Sequence, residues 1–318
     1  MPDWHDIPSW NGPPCRTVQP PTTAPAGHDG PTTPEEEPIA TDVAPATADD
    51  LFTAYGYIWL PYAVAAVLLA GLAGWHALRR GRRPDTLARE LPVRVGALAV
   101  LAASAAGLAD DIVEGNGLTA IDEPIWRFAV DHRTPAATVF FRVVTEVGST
   151  VSMAVLAAAA IGYLVYRRRH GDALLVLTVA VGAGLLVLLG KSLVGRPRPP
   201  AAYRLVVETN QSFPSGHALA SMAILGVLAL LVGRALGPGP ARIWLRGGVA
   251  VFVVLIGLSR IYLGVHWATD VLGGWLTGAA WLLLCLTVRF VYRDQARRRI
   301  SADATASPAD PGPDADLE

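Results

Sequence analysis

The sequence is poor in the residues that usually announce a cross-linked or charge-steered protein. Its 318 residues include 2 cysteines, Cys15 in a polar stretch and Cys285 in an apolar one, so neither a structural disulfide nor a cysteine-based metal site is expected. Charged residues make up only 17%, and 26 Lys and Arg against 27 Asp and Glu leave no net field that would attract nucleic acid. The beginning of the chain lacks both the basic start and the apolar core of a secretory signal peptide. Rich in Pro, Thr, Ala and acidic side chains, residues 1–50 read as a disordered tail. What the chain has in quantity is apolar surface: 52% hydrophobic residues place it in the membrane class.

A helix needs roughly 17–25 apolar residues to cross a hydrocarbon core. Seven runs of that kind follow one another: Tyr57 to Leu78, Pro92 to Ala109, Ser149 to Tyr166, Ala173 to Gly190, His217 to Leu236, Ile243 to Leu258 and Asp270 to Val288. The expected fold is an all-α integral membrane protein. Arginines orient the spans. Arg79, Arg80, Arg82 and Arg83 follow the first run, Arg167 to Arg169 the third, Arg234, Arg242 and Arg246 surround the fifth-to-sixth turn, and Arg293 with Arg297 to Arg299 follow the seventh. Alternation puts all of these on one side, which the positive-inside rule makes cytoplasmic. The opposite side then receives the acidic loop 110–148 and the segments 191–216 and 259–269. Residues 124–146 carry apolar positions at helical spacing and read either as an interfacial amphipathic helix or as a packed loop helix. Gly274 and Gly278 form a small-xxx-small pair suited to close helix packing.

Chemically suggestive residues gather in those last two outer segments: Lys191 with Arg198, then Pro214-Ser215-Gly216-His217, then Arg260 followed by His266 and Asp270. Each has an ordinary reading. Lysine at a helix end snorkels, Arg196-Pro197-Arg198-Pro199-Pro200 is a stiff loop that could meet headgroups, and Ser215 could simply cap the fifth run. The same helix start is also a ready anion site, with glycine at 216 admitting close approach. His266 and Asp270, four apart, share one face of a continuous helix, where the carboxylate can hold one imidazole nitrogen and leave the other as a lone pair. Together, three cations beside a helix start suit the non-bridging oxygens of a phosphoryl group.

In this spacing the chain resembles the type 2 phosphatidic acid phosphatase family, whose three-part signature is shared by vanadium haloperoxidases and bacterial undecaprenyl diphosphate phosphatases. The likeness runs from about Val93 to Tyr292. It implies a six-helix core at 93–292, with residues 51–92 supplying an additional transmembrane helix and a basic loop, and 293–318 a disordered cytoplasmic tail. It further implies that Lys191, Arg198, Ser215, Gly216 and Arg260 hold phosphate. His266 would attack phosphorus to give a phosphohistidine, Asp270 would orient it, and His217 would protonate the leaving oxygen and then activate water. No metal and no other cofactor is called for.

The expected activity is hydrolysis of a lipid phosphate or diphosphate at the extracytoplasmic face of the cell membrane, on phosphatidic acid, phosphatidylglycerol phosphate or a polyprenyl diphosphate. The motifs leave open a lipid phosphotransferase and a non-catalytic anionic-lipid binder. The expected partners are the lipid substrate and the bilayer, with no nucleic acid. Oligomeric state is not legible. Trp267 and Trp275 read as interfacial belt residues, and Tyr203 and Arg204 as possible headgroup contacts.

Overall fold

The computed structural model describes residues 86–306. The disordered tail expected at 1–50, the additional span at Tyr57 to Leu78 and the last twelve residues lie outside that range. Eight α-helices make up the described chain: α1 Thr86–Glu114, α2 Asp122–Asp131, α3 Pro135–Val147, α4 Thr150–Tyr166, α5 His170–Val194, α6 Gly216–Ala235, α7 Pro240–Tyr262 and α8 Ala268–Ala306. Short 3-10 turns stand at Gly117–Ile121 and Ala201–Tyr203. No strand occurs among the described residues.

Five of these helices are long and apolar enough to cross a membrane. A sixth span forms if α3 and α4, which meet at a 42° bend, are taken as one. The bend has a local cause. Gly148 closes α3, and the Ser149 hydroxyl then accepts from the Ser152 N–H at 3.1 Å and starts α4 as a separate helix. The six expected core spans each fall on an observed helix. Helix extends past both ends of that core. Residue 92 lies inside α1, whose helix begins before Pro92, and residue 293 lies inside α8, which continues as helix to Ala306 where a disordered tail was expected. The polar turns after residue 293 are supported by i,i+4 pairs such as Arg298–Asp294 at 2.6 Å.

Residues 124–146 form two helices, not one. Thr134 caps α3 by accepting from Ala137 N–H at 3.2 Å, and Pro135 occupies the first helical turn, which ends α2 just before it. Trp126 and Val144 are buried, whereas Phe128, Val139, Phe140 and Val143 are exposed. The pair is therefore packed on one face and apolar on the other, combining both readings of the segment.

Helix α6 is the axis of the bundle. Leu219, Ala220, Ala223, Ile224, Val227 and Leu231 meet Met153, Ala157 and Leu164 of α4, Val176, Val179 and Ala183 of α5, and Cys285 of α8. A helix covered on all sides has no need of a polar stripe, and α6 has none. Large apolar side chains on the outer helices, such as Val151, Leu174, Leu188 and Val251, remain exposed, as lipid-facing residues would be.

The close approach of α8 to α6 rests on the small residues picked out above. A Cβ at Gly278 would stand 2.7 Å from the Leu219 carbonyl oxygen, and one at Gly274 would stand 2.7 Å from that of Ser215. Because the obstacle is backbone, Gly278→Ala should destabilise the protein by about 1–3 kcal/mol, seen as a lower unfolding temperature in detergent. Gly248→Ala on α7, where a Cβ meets nothing within 4 Å, should leave that temperature unchanged or slightly raised.

Candidate active site

Three stretches converge at one end of the bundle: the last turn of α5 with the loop after it, the start of α6, and the α7–α8 connection. Backbone bonds tie them together, from Ser212 N to Arg196 O at 2.8 Å, Leu205 N to Leu263 O at 3.0 Å and Ser215 N to Asp270 O at 3.0 Å. The α7–α8 connection turns at Gly264, whose φ of +76° and close neighbours, Tyr203 O and an Arg133 nitrogen, leave no room for a side chain. Arg133 fixes the turn further by donating to the carbonyls of Tyr262 and Tyr203, both at 2.9 Å. This backbone geometry delivers His266 into the interior.

The His266 ring is 1% exposed and bonded on both nitrogens. Its Nδ1 lies 3.3 Å from Asp270 Oδ2, and its Nε2 lies 3.1 Å from Arg198 Nη1. A guanidinium can only donate, so Nε2 carries the lone pair and Nδ1 the proton. Burial lowers the imidazole pKa to about 4, opposed by the Asp270 carboxylate and assisted by the positive charges of Arg260 and Arg198. The ring is thus neutral at neutral pH.

The pair does not form on a continuous helix as expected. His266 precedes the first residue of α8, and Asp270 reaches back from the first turn to accept from the Trp267 N–H at 2.9 Å. A carboxylate is favoured there because the helix start presents unpaired N–H groups. Asp270, with no exposed surface, also accepts from Ser212 Oγ and, at 2.9 Å, from Arg196 Nη1.

Of the three expected cations, Arg198 meets Nε2, Lys191 shares Asn210 with Arg198, and Arg260 shares Glu208 with it. Lys191, the single lysine of the sequence, donates to Gln211 O and at 3.3 Å to Asn210 Oδ1. Arg198 donates to Asn210 Oδ1 at 2.6 Å and to Val265 O at 2.7 Å. Arg260, 2% exposed, donates to Thr145 Oγ1 at 2.8 Å, while its Nε is buried without a partner. The Ser215 hydroxyl is likewise buried and unpartnered. It stands at the capping position of α6 and yet makes no cap bond, so the ordinary capping reading of Ser215 is overturned. Gly216 opens α6 beside it, and the His217 ring, half-buried, makes no hydrogen bond among the described residues. Unsatisfied buried donors beside two guanidinium groups are what an oxyanion would satisfy.

Several residues of this site were not singled out in the sequence. Arg196, read as a loop cation for headgroups, is half-buried and bridges two carboxylates, Asp270 and Asp122, the latter at 2.6 Å. Asp122, read as one more charge of an acidic loop, is 3% exposed and accepts from the Thr269 N–H at 2.8 Å and Thr269 Oγ1 at 2.6 Å, capping α8 from α2. Glu208 pairs with Arg260 Nη2 and lies 3.5 Å from Arg198 Nη2. Its carboxylate holds the ground that an incoming oxyanion would take. Trp267 is bound to protein, its Nε1 donating to Pro197 O at 3.0 Å and its ring 5.9 Å from that of Trp126. Trp275 fits into the notch left by Gly257 on α7. Neither is a simple belt residue. Arg204 donates to Pro199 O at 2.7 Å within its own loop.

Among the described residues, no three His, Cys, Asp or Glu side chains gather in a metal-binding group. The site is instead rich in donors. Fold and site together define a class: a multi-span helical membrane protein with a cluster of cationic side chains beside an aspartate-held imidazole. Likeness to known proteins narrows that class. The family profile described as the PAP2 superfamily matches residues 172–294. Phosphatidylglycerophosphatase B of Bacillus subtilis is 33% identical over 180 residues, covering 56% of this chain and 86% of that protein. Undecaprenyl-diphosphatase of Sulfolobus acidocaldarius is 41% identical over 71 residues, 22% of this chain and 30% of that protein. The crystal structure of a transmembrane PAP2-type phosphatidylglycerolphosphate phosphatase from Bacillus subtilis matches with a TM-score of 0.56 at 30% identity, covering 60% of this chain and 95% of that one. The chain belongs to the PAP2 superfamily.

Two variants probe the site itself. Arg196→Leu leaves Asp122 and Asp270 as uncompensated buried charges and should cost about 3–5 kcal/mol, read as a fall in unfolding temperature; an unchanged temperature would show the bridge to be dispensable. Glu208→Gln keeps the size of the side chain and removes its charge. Inorganic phosphate should bind that variant about tenfold tighter in a competition assay, the worth of roughly one charge-assisted hydrogen bond. Weaker binding would mean that Glu208 holds the arginines in place for the anion.

Proposed function

We propose that this protein is a lipid phosphatase that releases phosphate from a membrane-held phosphomonoester or diphosphate through a covalent intermediate on His266. The observation that carries the reading is the His266 Nε2 lone pair held against Arg198, in a site where the Ser215 hydroxyl and Arg260 Nε are buried with no partner among the described residues. In this reading Lys191, Arg198, Arg260, Ser215 and the Gly216 N–H hold the phosphoryl oxygens. His266 Nε2 attacks phosphorus and the bond to the leaving oxygen breaks, with His217 supplying a proton to that oxygen. Asp270 accepts from Nδ1 and stabilises the charge that builds on the ring. Water, losing its proton to His217, then attacks the phosphohistidine, the N–P bond breaks, and inorganic phosphate leaves with both histidines restored. Positive charge from three side chains stabilises the transition state, the part a bound metal would otherwise supply, and the proposed reaction is metal-independent.

The arginine clusters support an extracytoplasmic site. Arg167 to Arg169 stand at the α4–α5 turn, Arg234, Arg242 and Arg246 flank the α6–α7 turn, and Arg293 to Arg299 lie late in α8, all at the helix ends remote from His266. By the positive-inside rule those ends face the cytoplasm. A lipid could keep its tail in the bilayer while its headgroup enters the cradle. The likeness to phosphatidylglycerophosphatase B over most of that protein favours phosphatidylglycerol phosphate as the first substrate to try, with polyprenyl diphosphates and phosphatidic acid beside it.

Phosphate release from those three lipids by purified protein, in excess chelator, tests the reading. Wild type should release phosphate, and His266→Ala should fall by about three orders of magnitude or more; equal release by both would end the histidine mechanism. The pH dependence has a definite sign. Protonated His266 cannot attack, and its lowered pKa moves that loss down to about 4, so the step that phosphorylates the enzyme should not slow from loss of the nucleophile between neutral pH and about 5. An acid limb of that step near the ordinary imidazole value would contradict a buried neutral ring.

A further inference from the structure

A second concentration of unbalanced charge lies at the other end of the bundle. There α1, α6 and α8 enclose a cavity of about 220 Å³ lined by Arg94, Arg234, Arg289, Arg293, Arg297 and Asp294 over a floor of Leu286 and Phe290. From His217 to Arg234 along α6 the helix rises roughly 25 Å, so this cavity stands apart from the active site by nearly the thickness of a hydrocarbon core.

The charges there do not cancel. Arg94 pairs with Glu90 at 2.8 Å and lies over the Phe290 ring at 4.5 Å, Arg289 pairs with Asp172, and Asp294 is taken by Arg298 at 2.6 Å. The Arg234 and Arg293 guanidinium groups have neither ion pair nor hydrogen bond among the described residues. Arg289, Arg293 and Arg297 follow one another at i,i+4 on one helix face, which sets Arg293 between two neighbours of like charge. Loop arginines that merely orient a membrane protein can spread over its surface. Here they come from three helices and converge on one concavity.

We propose that this cavity is a binding site for the phosphate of an anionic phospholipid in the leaflet opposite the active site. Arginine supplies the forked donors that phosphate oxygens match. The volume, below the roughly 300–1,000 Å³ of sites for whole drug-sized molecules, suits a headgroup. The apolar floor suits the glyceride that follows a headgroup, and a basic pocket between spans is the form such sites take. A soluble phosphate compound would meet the same donors and gain nothing from Leu286 and Phe290.

The test is the unfolding temperature of the protein in nanodiscs of phosphatidylcholine alone, of phosphatidylcholine with phosphatidylglycerol, and of phosphatidylcholine with added inorganic phosphate. Wild type should gain about 4 °C or more from phosphatidylglycerol. The double variant Arg234→Ala/Arg293→Ala should lose that gain, while Arg167→Ala/Arg168→Ala, which removes as many exposed arginines from the same side, should keep it. All should unfold together in phosphatidylcholine alone. Should the double variant not fold, Arg293→Gln at its exposed position carries the comparison and should lose about half of the gain. Equal gains in wild type and the cavity variant, or equal losses in both double variants, would overturn the site. A gain reproduced by inorganic phosphate alone and lost in the cavity variant would overturn the lipid assignment.

Discussion

The bridge of Arg196 between Asp122 and Asp270 holds this structure's working end together. It joins α2, the loop after α5 and the start of α8 in a region buried from water, where an unmatched charge is expensive and a matched one is rigid. Through it the Asp270 carboxylate is fixed, Oδ1 by Arg196 and Oδ2 by Ser212 and the Trp267 N–H, so that Oδ2 is also turned to His266 Nδ1. The tautomer of His266 follows from that oxygen, and the lone pair at Nε2, turned to Arg198, follows from the tautomer. Orientation of one imidazole thus depends on a carboxylate in α2 more than a hundred residues away in sequence.

The opposing end of the ring meets a different constraint. Lys191, Arg198 and Arg260 repel one another in a buried space, and the chain offsets this with carbonyls, with Asn210 and with the carboxylate of Glu208. Such a cradle is satisfied only in part, as the unpartnered Ser215 hydroxyl and Arg260 Nε show. An oxyanion would complete it.

Much of this was legible in the sequence, for definable reasons. Apolar runs of membrane length carry their own signal, and the six core spans fall on observed helices. The signature residues stand together as their spacing required, because each sits within a turn or two of a helix end. Residues that support them were not legible. Asp122 looks like any acidic loop residue until folding brings it to Thr269, and Arg196 is indistinguishable in sequence from Arg198 two places on. Glu208 and Ser212 lie in a loop whose path no periodicity defines. The His266–Asp270 pair was found for a partly wrong reason: the spacing of four was right, but the contact is made across a helix start.

The central claim is that phosphorus is transferred to His266. Rapid acid-free quenching of the protein with radiolabelled phosphatidylglycerol phosphate, followed by alkaline peptide mapping, tests it most directly. The account predicts an acid-labile, base-stable phosphate on the peptide containing His266, absent from His266→Ala. Turnover of the lipid with no label on His266 at any quench time, and with label on His217 or on no protein residue, would contradict it.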